Sequence, residues 1–269
     1  MYRILLAVLV VMAFSCKNNA EKSETMTAKE AEMVEETPKV DHPWPAELDS
    51  VLNAHGGLEQ WQKQRTLTFT MPKPELSEIH TTDLKTRLDK VETEKFTLGN
   101  DTDGVWLNDP EAMYKGDAGF YHNLMFYFYA MPFILTDPGI QYSAAENISF
   151  EGKEYPGIRI AYDDGVGASS KDEYYLHYDP ETYQMAWLGY TVTYGKDEKS
   201  DTVKWIQYHT WQTVDNVVLP KEISWFVYEG LEMKEARNNL PFENVTLSET
   251  SQPEEYYQRP DGAENVSLK

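Results

Sequence analysis

The stretch from Tyr114 to Ile140 constrains the fold of this chain more than any other part of it. Between Phe120 and Leu135 only His122 and Asn123 have strongly polar side chains, and nearly half of the residues are Phe or Tyr. The run is too short to span a bilayer, which requires about 20 apolar residues, and it is too apolar to lie in water. We therefore expect a short helix and loop packed against the concave face of a curved sheet.

The segments on both sides of this stretch predict an antiparallel sheet. About ten short runs alternate apolar and polar residues, and turns such as Asp163-Asp164-Gly165 separate them. The segment Leu84–Glu92 fits a strand with one solvated face. Ahead of the strands, Leu48, Val51 and Leu52 recur at helical spacing. The predicted fold class is mainly β (α+β): a curved antiparallel sheet forming an unclosed half-barrel, with an N-terminal helix and the central apolar helix and loop on its concave face.

The N-terminal segment MYRILLAVLVVMAFSCKNN predicts export from the cytoplasm. Arg3 precedes an apolar run, Ile4–Phe14, that is too short for a transmembrane helix, so it fits a secretory signal peptide. Cys16 is the single cysteine of the chain, and no intrachain disulfide can form. Residues Ala13–Cys16 resemble the lipobox of bacterial lipoproteins, which implies lipidation of Cys16 and removal of residues 1–15. The alternative is a plain secretory signal with a cysteine nearby.

Four segments follow from composition. Residues 1–15 are the expected signal peptide, and residues 16–43 are the lipidated cysteine and a tether with seven acidic and four basic side chains after Cys16 and no aromatic residue. Residues 44–250 form a single half-barrel domain, and residues 251–269 form a polar tail. By resemblance to enterobacterial sorting rules, Lys17 favours a lipid anchor in the outer membrane, on either its periplasmic or its surface face.

The charge of the chain excludes several partners. The formal net charge is −21, and removal of Arg3 with the signal peptide would make it −22. Nucleic acid is not expected as a partner because phosphate binding requires a basic patch. Adhesion of the folded domain to an anionic membrane surface is disfavoured for the same reason.

No motif predicts catalysis, a metal or a cofactor. The chain lacks Gly-x-Ser-x-Gly, Ser-x-x-Lys and phosphate-loop patterns, and its six histidines lack zinc-type spacing. Asp101-Thr102-Asp103-Gly104 begins like a calcium loop, but its glycine comes early and position 112 is Ala, so a turn is favoured. His55, between a helix and Gly56-Gly57, is expected to cap or pack. We expect a protein that is not an enzyme.

Several motifs resemble a family of uncharacterised bacterial lipoproteins without established activity: Ala54–Trp61 (AHGGLEQW), Tyr121–Leu124 (YHNL), Met131–Phe133 (MPF) and Asp137–Ile140 (DPGI). The order of elements, with the turns Tyr178–Thr182 and Asn216–Lys221, resembles the superfamily of outer-membrane lipoprotein-sorting carriers (LolA-like). This resemblance implies an unclosed barrel whose concave face can hold acyl chains.

The candidate ligand-binding residues are mostly aromatic side chains expected on the concave face. They are Trp106, Phe120, Tyr121, His122, Phe126, Tyr129, Phe133 and Trp187. They either fill the core or line an apolar pocket, and the sequence leaves both possibilities open. If buried, His122 requires a hydrogen-bond partner.

Two functions are compatible with these features. The first is a lipid-anchored envelope lipoprotein that binds a lipid or other apolar ligand in a half-barrel cavity. The alternative is a non-catalytic scaffold or adaptor that docks an envelope protein or a glycan through exposed aromatic residues. The sequence identifies neither the ligand nor a protein partner nor the oligomeric state.

Overall fold

Fourteen short strands and four short helices make up the described part of the chain. The computed structural model describes residues 43–166, 169–196 and 198–267, within one unit that runs from His42 to Lys269. The predicted signal peptide, Cys16 and the tether up to residue 42 lie outside the described residues. Within those ranges no helix is long and apolar enough to cross a membrane.

The helices are α1 (Ala46–Ala54), α2 (Leu58–Lys63), α3 (Ala118–Tyr121) and α4 (Leu124–Tyr129), with 3-10 helices at Phe133–Thr136 and Glu254–Tyr256. The first seven strands are β1 (Thr66–Met71), β2 (Glu78–Asp83), β3 (Asp89–Glu92), β4 (Thr97–Asp101), β5 (Gly104–Asn108), β6 (Ile140–Phe150) and β7 (Lys153–Tyr162). The others are β8 (Glu173–Tyr178), β9 (Met185–Tyr190), β10 (Lys204–Val214), β11 (Val217–Glu229), β12 (Glu232–Pro241), β13 (Glu243–Ser248) and β14 (Glu264–Asn265).

The strands form two sheets. The first is an open antiparallel sheet in the order β13-β1-β2-β3-β4-β5-β14. The second closes on itself in the order β10-β11-β12-β6-β7-β8-β9 and is called the ring sheet below. Its seam is the single parallel pair Glu232–Ser149, whereas its other neighbouring strands are antiparallel. The predicted mainly β class is confirmed, with the expected curvature divided between two sheets.

The central segment lies in the main hydrophobic core between these layers. The core joins buried residues of α1, β1 and α4 to inward-facing residues of the ring sheet such as Ile160, Leu176 and Ile206. Helix α4 is too short to satisfy its own backbone carbonyls. Tyr208 of the ring sheet donates its hydroxyl to Phe128 O at 2.7 Å, so an aromatic side chain supplies the missing bond.

Two predicted boundaries are corrected. Residues 84–88, predicted as part of a strand, form a turn because the Asp83 carboxylate accepts the backbone N–H groups of Lys85 and Thr86 at 2.9 and 2.8 Å. The C-terminal residues, predicted as a polar tail beyond the domain, pack on the open sheet over their described part. Tyr257 is 1% exposed and its carbonyl accepts the indole N–H of Trp106 at 3.1 Å, because aromatic side chains from both segments share one buried site.

His55 and Gly56 join α1 to the ring sheet. His55 is fully buried; its Nδ1 donates to Val218 O at 3.2 Å, and its Nε2 accepts from Met185 N at 3.1 Å. A carbonyl only accepts and an amide only donates, so the imidazole is neutral. Gly56 has φ +97°, and a Cβ there would overlap the carbonyl oxygen of Asn216. His55 and Gly56 thus have a structural role, which is to hold the end of α1 against the ring sheet.

Burial lowers the pKa of His55 to about 4, and the bond to Val218 opposes this only in part. In the unfolded chain an imidazole has a pKa of about 6.5. The unfolded state therefore binds more protons between these values, and the stability that neutral His55 contributes is complete above that range and lost as the pH falls through it.

We expect His55→Gln to make stability less sensitive to acid, because the amide keeps a donor and an acceptor but does not titrate. Between pH 7 and pH 5 the variant should lose about 2 kcal/mol less free energy of unfolding than the wild type. Urea unfolding at a series of pH values measures this difference. His209→Gln, at an exposed position of β10, is the control; an unchanged pH profile in His55→Gln would contradict the prediction.

Candidate ligand-binding pocket

A pocket of about 680 Å³ lies beside the central segment. Its walls come from α2, from the turn between β2 and β3, from the central segment, and from the β7–β8 side of the ring sheet. Its size falls within the range of about 300–1,000 Å³ that is usual for small-molecule sites.

The floor of the pocket is apolar. Trp61 of α2 stacks on Phe133 of the central segment, with ring centroids 4.7 Å apart and planes 6° from parallel. Leu84, Leu124 and Ile134 extend the same surface. A hydrocarbon tail placed here would be removed from water, which contributes about 25 cal/mol per Å² of apolar surface.

Helix α4 has two functional faces. Phe126, Phe128 and Tyr129 are buried in the core, whereas Leu124 and Tyr127 are half-buried and line the pocket. Positions three residues apart lie on the same side of a helix. The central segment therefore both fills the core and walls a pocket, which answers the question that the sequence left open.

An ion pair lies at one side of the pocket. Arg87 donates through Nη2 to both carboxylate oxygens of Asp137, at 2.9 and 2.7 Å, and its guanidinium lies 5.0 Å from the ring centre of Phe126. Arg87 has φ +61°, a conformation that is uncommon for residues other than glycine. Asp83 compensates by holding the turn through Lys85 N and Thr86 N.

Aromatic rings and a second carboxylate also line the pocket. Tyr162 and Tyr174 meet edge to face at 6.0 Å, and Phe120 lies 5.1 Å from Tyr194 between ring centroids. Asp172 also lines the pocket and accepts Thr193 N at 2.6 Å. Burial raises the pKa of the Asp172 carboxyl, although hydrogen bonds from Thr193 oppose the rise.

The structure brings only two of the eight predicted ligand-binding residues to this pocket, Phe120 and Phe133. Phe126 and Tyr129 lie in the main core. Trp106 of β5 is fully buried beside Tyr257, and Trp187 packs in a second cluster with Phe150 and Phe226 at centroid distances of 4.9 and 4.8 Å. Aromatic content alone does not separate a packed ring from one facing a cavity.

The remaining two, Tyr121 and His122, belong to a buried polar cluster between α3 and the open sheet. The hydroxyl of Tyr121 donates to Glu78 at 2.6 Å and accepts from Lys73 at 3.0 Å. His80 Nε2 lies 3.1 Å from the same Glu78 oxygen, Oε2, and the other oxygen of Glu78 accepts from Lys73. Burial alone would raise the pKa of Glu78, but hydrogen bonds from His80, Lys73 and Tyr121 lower it to about 2.

His122 pairs with Asp89 in the same region. Its Nδ1 lies 2.7 Å from Asp89 Oδ2, and Asp89 is 2% exposed. The other oxygen, Oδ1, is buried without a hydrogen-bond partner among the described residues. Burial raises the pKa of Asp89, and the hydrogen bond from His122 opposes this rise. The histidine that the sequence singled out thus fastens the central segment to β3.

Sequence reasoning missed most of these residues. Glu78 and His80 lie in a strand with little apolar alternation, and Asp89 lies in Leu84–Glu92, a segment whose polar residues predict a strand with a solvated face. Within the described ranges, no group of three or more His, Cys, Asp or Glu side chains is arranged to hold a metal ion.

Comparisons with known proteins identify a family and distant structural neighbours. The model of a family of unknown function, DUF6503, matches residues 85–232. A LolA superfamily protein of Nitrosomonas europaea shares 10% identity at a TM-score of 0.47, covering 78% of this chain and 96% of that one. A domain from Vibrio parahaemolyticus, described as an outer-membrane lipoprotein-sorting protein, shares 11% identity at 0.41, covering 76% and 97%. A search of curated protein sequences finds no match.

The expected resemblance to an uncharacterised family is confirmed. At this distance the neighbours say nothing about a ligand of this chain.

We expect His122→Ala to be strongly destabilising, because it leaves a buried carboxylate without its partner. Breaking such a pair from one side costs about 3–5 kcal/mol, measurable by urea unfolding. Adding Asp89→Asn should recover part of the loss by removing the uncompensated charge. Simple addition of the two single-variant costs would contradict this coupling.

Proposed function

The chain belongs to the DUF6503 family, and we propose that it is a lipid-anchored protein of the cell envelope that binds a lipid or other apolar molecule without catalysis. The pocket beside the central segment is the binding site in this proposal. The protein would bind its ligand and hold it out of water.

The observation that carries this proposal is the 680 Å³ pocket, in which the half-buried side chains of Leu124 and Tyr127 present apolar surface beside the floor. Trp61 of α2 stacks on Phe133 of the central segment, and both residues belong to the main core that also includes residues of the ring sheet. A preformed apolar surface of this kind favours an apolar ligand because binding removes both surfaces from water.

The membrane anchor is supported by sequence. The apolar run Ile4–Phe14 before Cys16 fits a signal peptide followed by a lipidated cysteine. Residues 17–43 would then act as a tether between the anchor and the domain. In this arrangement we expect the protein at the outer membrane, on either its periplasmic or its surface face.

An adaptor function has less support. The large apolar side chains exposed on the described surface are scattered, and among them only Tyr183 is aromatic. Single exposed apolar residues are normal on soluble proteins and do not mark a docking surface.

We expect Leu124→Trp to weaken binding of an apolar molecule about tenfold or more, because the indole would fill the pocket beside Tyr127. Binding of a fluorescent fatty-acid analogue to the full chain measures this. Leu231→Trp, on the exposed turn between β11 and β12, adds the same group away from the pocket and should bind normally. Wild-type protein that neither binds the analogue nor retains a lipid in native mass spectrometry would refute the proposed function.

We expect Cys16→Ser to release the protein from membranes, since it removes the site of acylation. Acyl chains contribute about 0.8 kcal/mol per buried methylene, so their loss should move most of the protein to the soluble fraction. Fractionation and the mass of the N-terminal peptide measure this. A variant that stays membrane-bound would show that the anchor lies elsewhere.

A further inference from the structure

Asp172 is the pocket carboxylate whose charge is not balanced by a neighbouring side chain. Among the described residues, no Lys, Arg or His nitrogen forms an ion pair with it, whereas Asp137 across the pocket is paired with Arg87. The next residue, Glu173, is paired with both Arg159 and Lys199. Of the two carboxylates in the pocket lining, Asp172 is thus the one that lacks an ion pair among the described residues.

The contacts of Asp172 hold its position without neutralising it. Its Oδ1 accepts the amide of Thr193 at 2.6 Å and lies 3.4 Å from the hydroxyl of Thr191. Charges that are partly removed from water are usually paired. The raised pKa of Asp172 has burial as its main cause, so a positive group would gain more there than at an exposed carboxylate.

The rings beside Asp172 also favour a cation. Tyr162, Tyr174, Tyr194 and Phe120 line the same pocket, and Tyr174 lies close enough to Asp172 for the carboxylate to raise its pKa. The face of an aromatic ring attracts an ammonium group, with a strength of about 0.5–2 kcal/mol for each well-placed ring. The chain has a net charge of −21, and a field of that sign steers cations toward the domain.

Two cations, Arg87 and Lys85, also line the pocket. Arg87 is paired through Nη2 with Asp137 at hydrogen-bond distance, and its Nη1 is buried without a hydrogen-bond partner among the described residues. Lys85 is exposed at the rim, where its ammonium donates to Gln62 O at 2.7 Å, so its charge is screened by solvent.

We propose that the pocket binds an amphiphile whose head carries a positively charged ammonium group, held by Asp172 and the rings around it. The apolar tail lies on the floor formed by Trp61 and Phe133. This inference rests on the proposed function and adds the class of head group to it.

The test compares amphiphiles with one tail and different heads. Dodecyltrimethylammonium, dodecyl maltoside and dodecanoate are titrated into the full chain below their micelle concentrations, and binding is followed calorimetrically. We expect one high-affinity site per chain for the ammonium compound, about tenfold or more tighter than for the neutral one. This preference should fall several-fold at high salt.

Two variants separate the site from the general charge of the protein. Asp172→Asn keeps an acceptor for Thr193 N and should abolish the ammonium preference. Asp164→Asn removes the same charge from a neighbouring side chain that is 92% exposed and should leave the preference intact. Asp172→Glu, which keeps the charge, should retain most of it.

The outcomes of these titrations separate the inference about the head group from the proposed function of binding an apolar molecule. If none of the three amphiphiles binds, the proposed function fails together with the inference. If all three bind equally, if dodecanoate binds most tightly, or if Asp164→Asn matches Asp172→Asn, the ammonium head is refuted while the apolar pocket stands. Should Asp172→Asn not fold, the wild-type preference and its salt dependence decide between the same results.

Discussion

The burial of the central segment between two sheets is the interaction on which the rest of this structure depends. Phe126, Phe128 and Tyr129 of α4 are at most 3% exposed and contact both the open sheet and the ring sheet. Tyr129 lies 4.4 Å from Phe69 of β1, and Phe128 lies 4.9 Å from Tyr190 of β9, between ring centroids. Interiors pack at high density, so these rings fix the distance between the layers.

Polar groups make this burial specific. Hydrophobic attraction is non-directional, so apolar contacts alone do not fix the position and orientation of a segment within a core. Here Tyr208 anchors Phe128 O, while Tyr121 and His122 bind Glu78 and Asp89. These directional contacts hold one face of α4 toward the core, and the opposite face is consequently left to line the pocket.

The sequence predicts the parts of the fold that alternation encodes. β1, β8 and β10 carry apolar residues at alternate positions, which predicts strands, and the central helix and loop follow from the break in that pattern. In β2 and β12 polar residues hide the period of two, so the sequence does not predict these strands. The alternation of apolar and polar residues indicates which apolar side chains are buried, but it does not indicate that a carboxylate is buried.

The pocket was predictable as a possibility but not in its residues. The three-residue spacing of Leu124 and Tyr127 is visible in the sequence, but the turn that presents Arg87 depends on how Asp83 bonds to two backbone amides. Asp172 has no distinguishing motif at all. The role proposed for Asp172 follows from the ion pairs that its neighbours form, and these pairs exist only in the tertiary structure.

The seam of the ring sheet differs from its other strand contacts. One residue pair, Glu232–Ser149, closes the ring, whereas β10 and β11 share eight. Strands β6, β7 and β8 lie on one side of that seam and carry Tyr162 and Tyr174. Separating the strands at the seam would therefore break one backbone pair, whereas separating any other two neighbouring strands of the ring would break several. Closure of the ring therefore depends on side-chain packing across the seam, where Phe150 of β6 lies edge to face with Phe226 of β11 at a centroid distance of 5.6 Å.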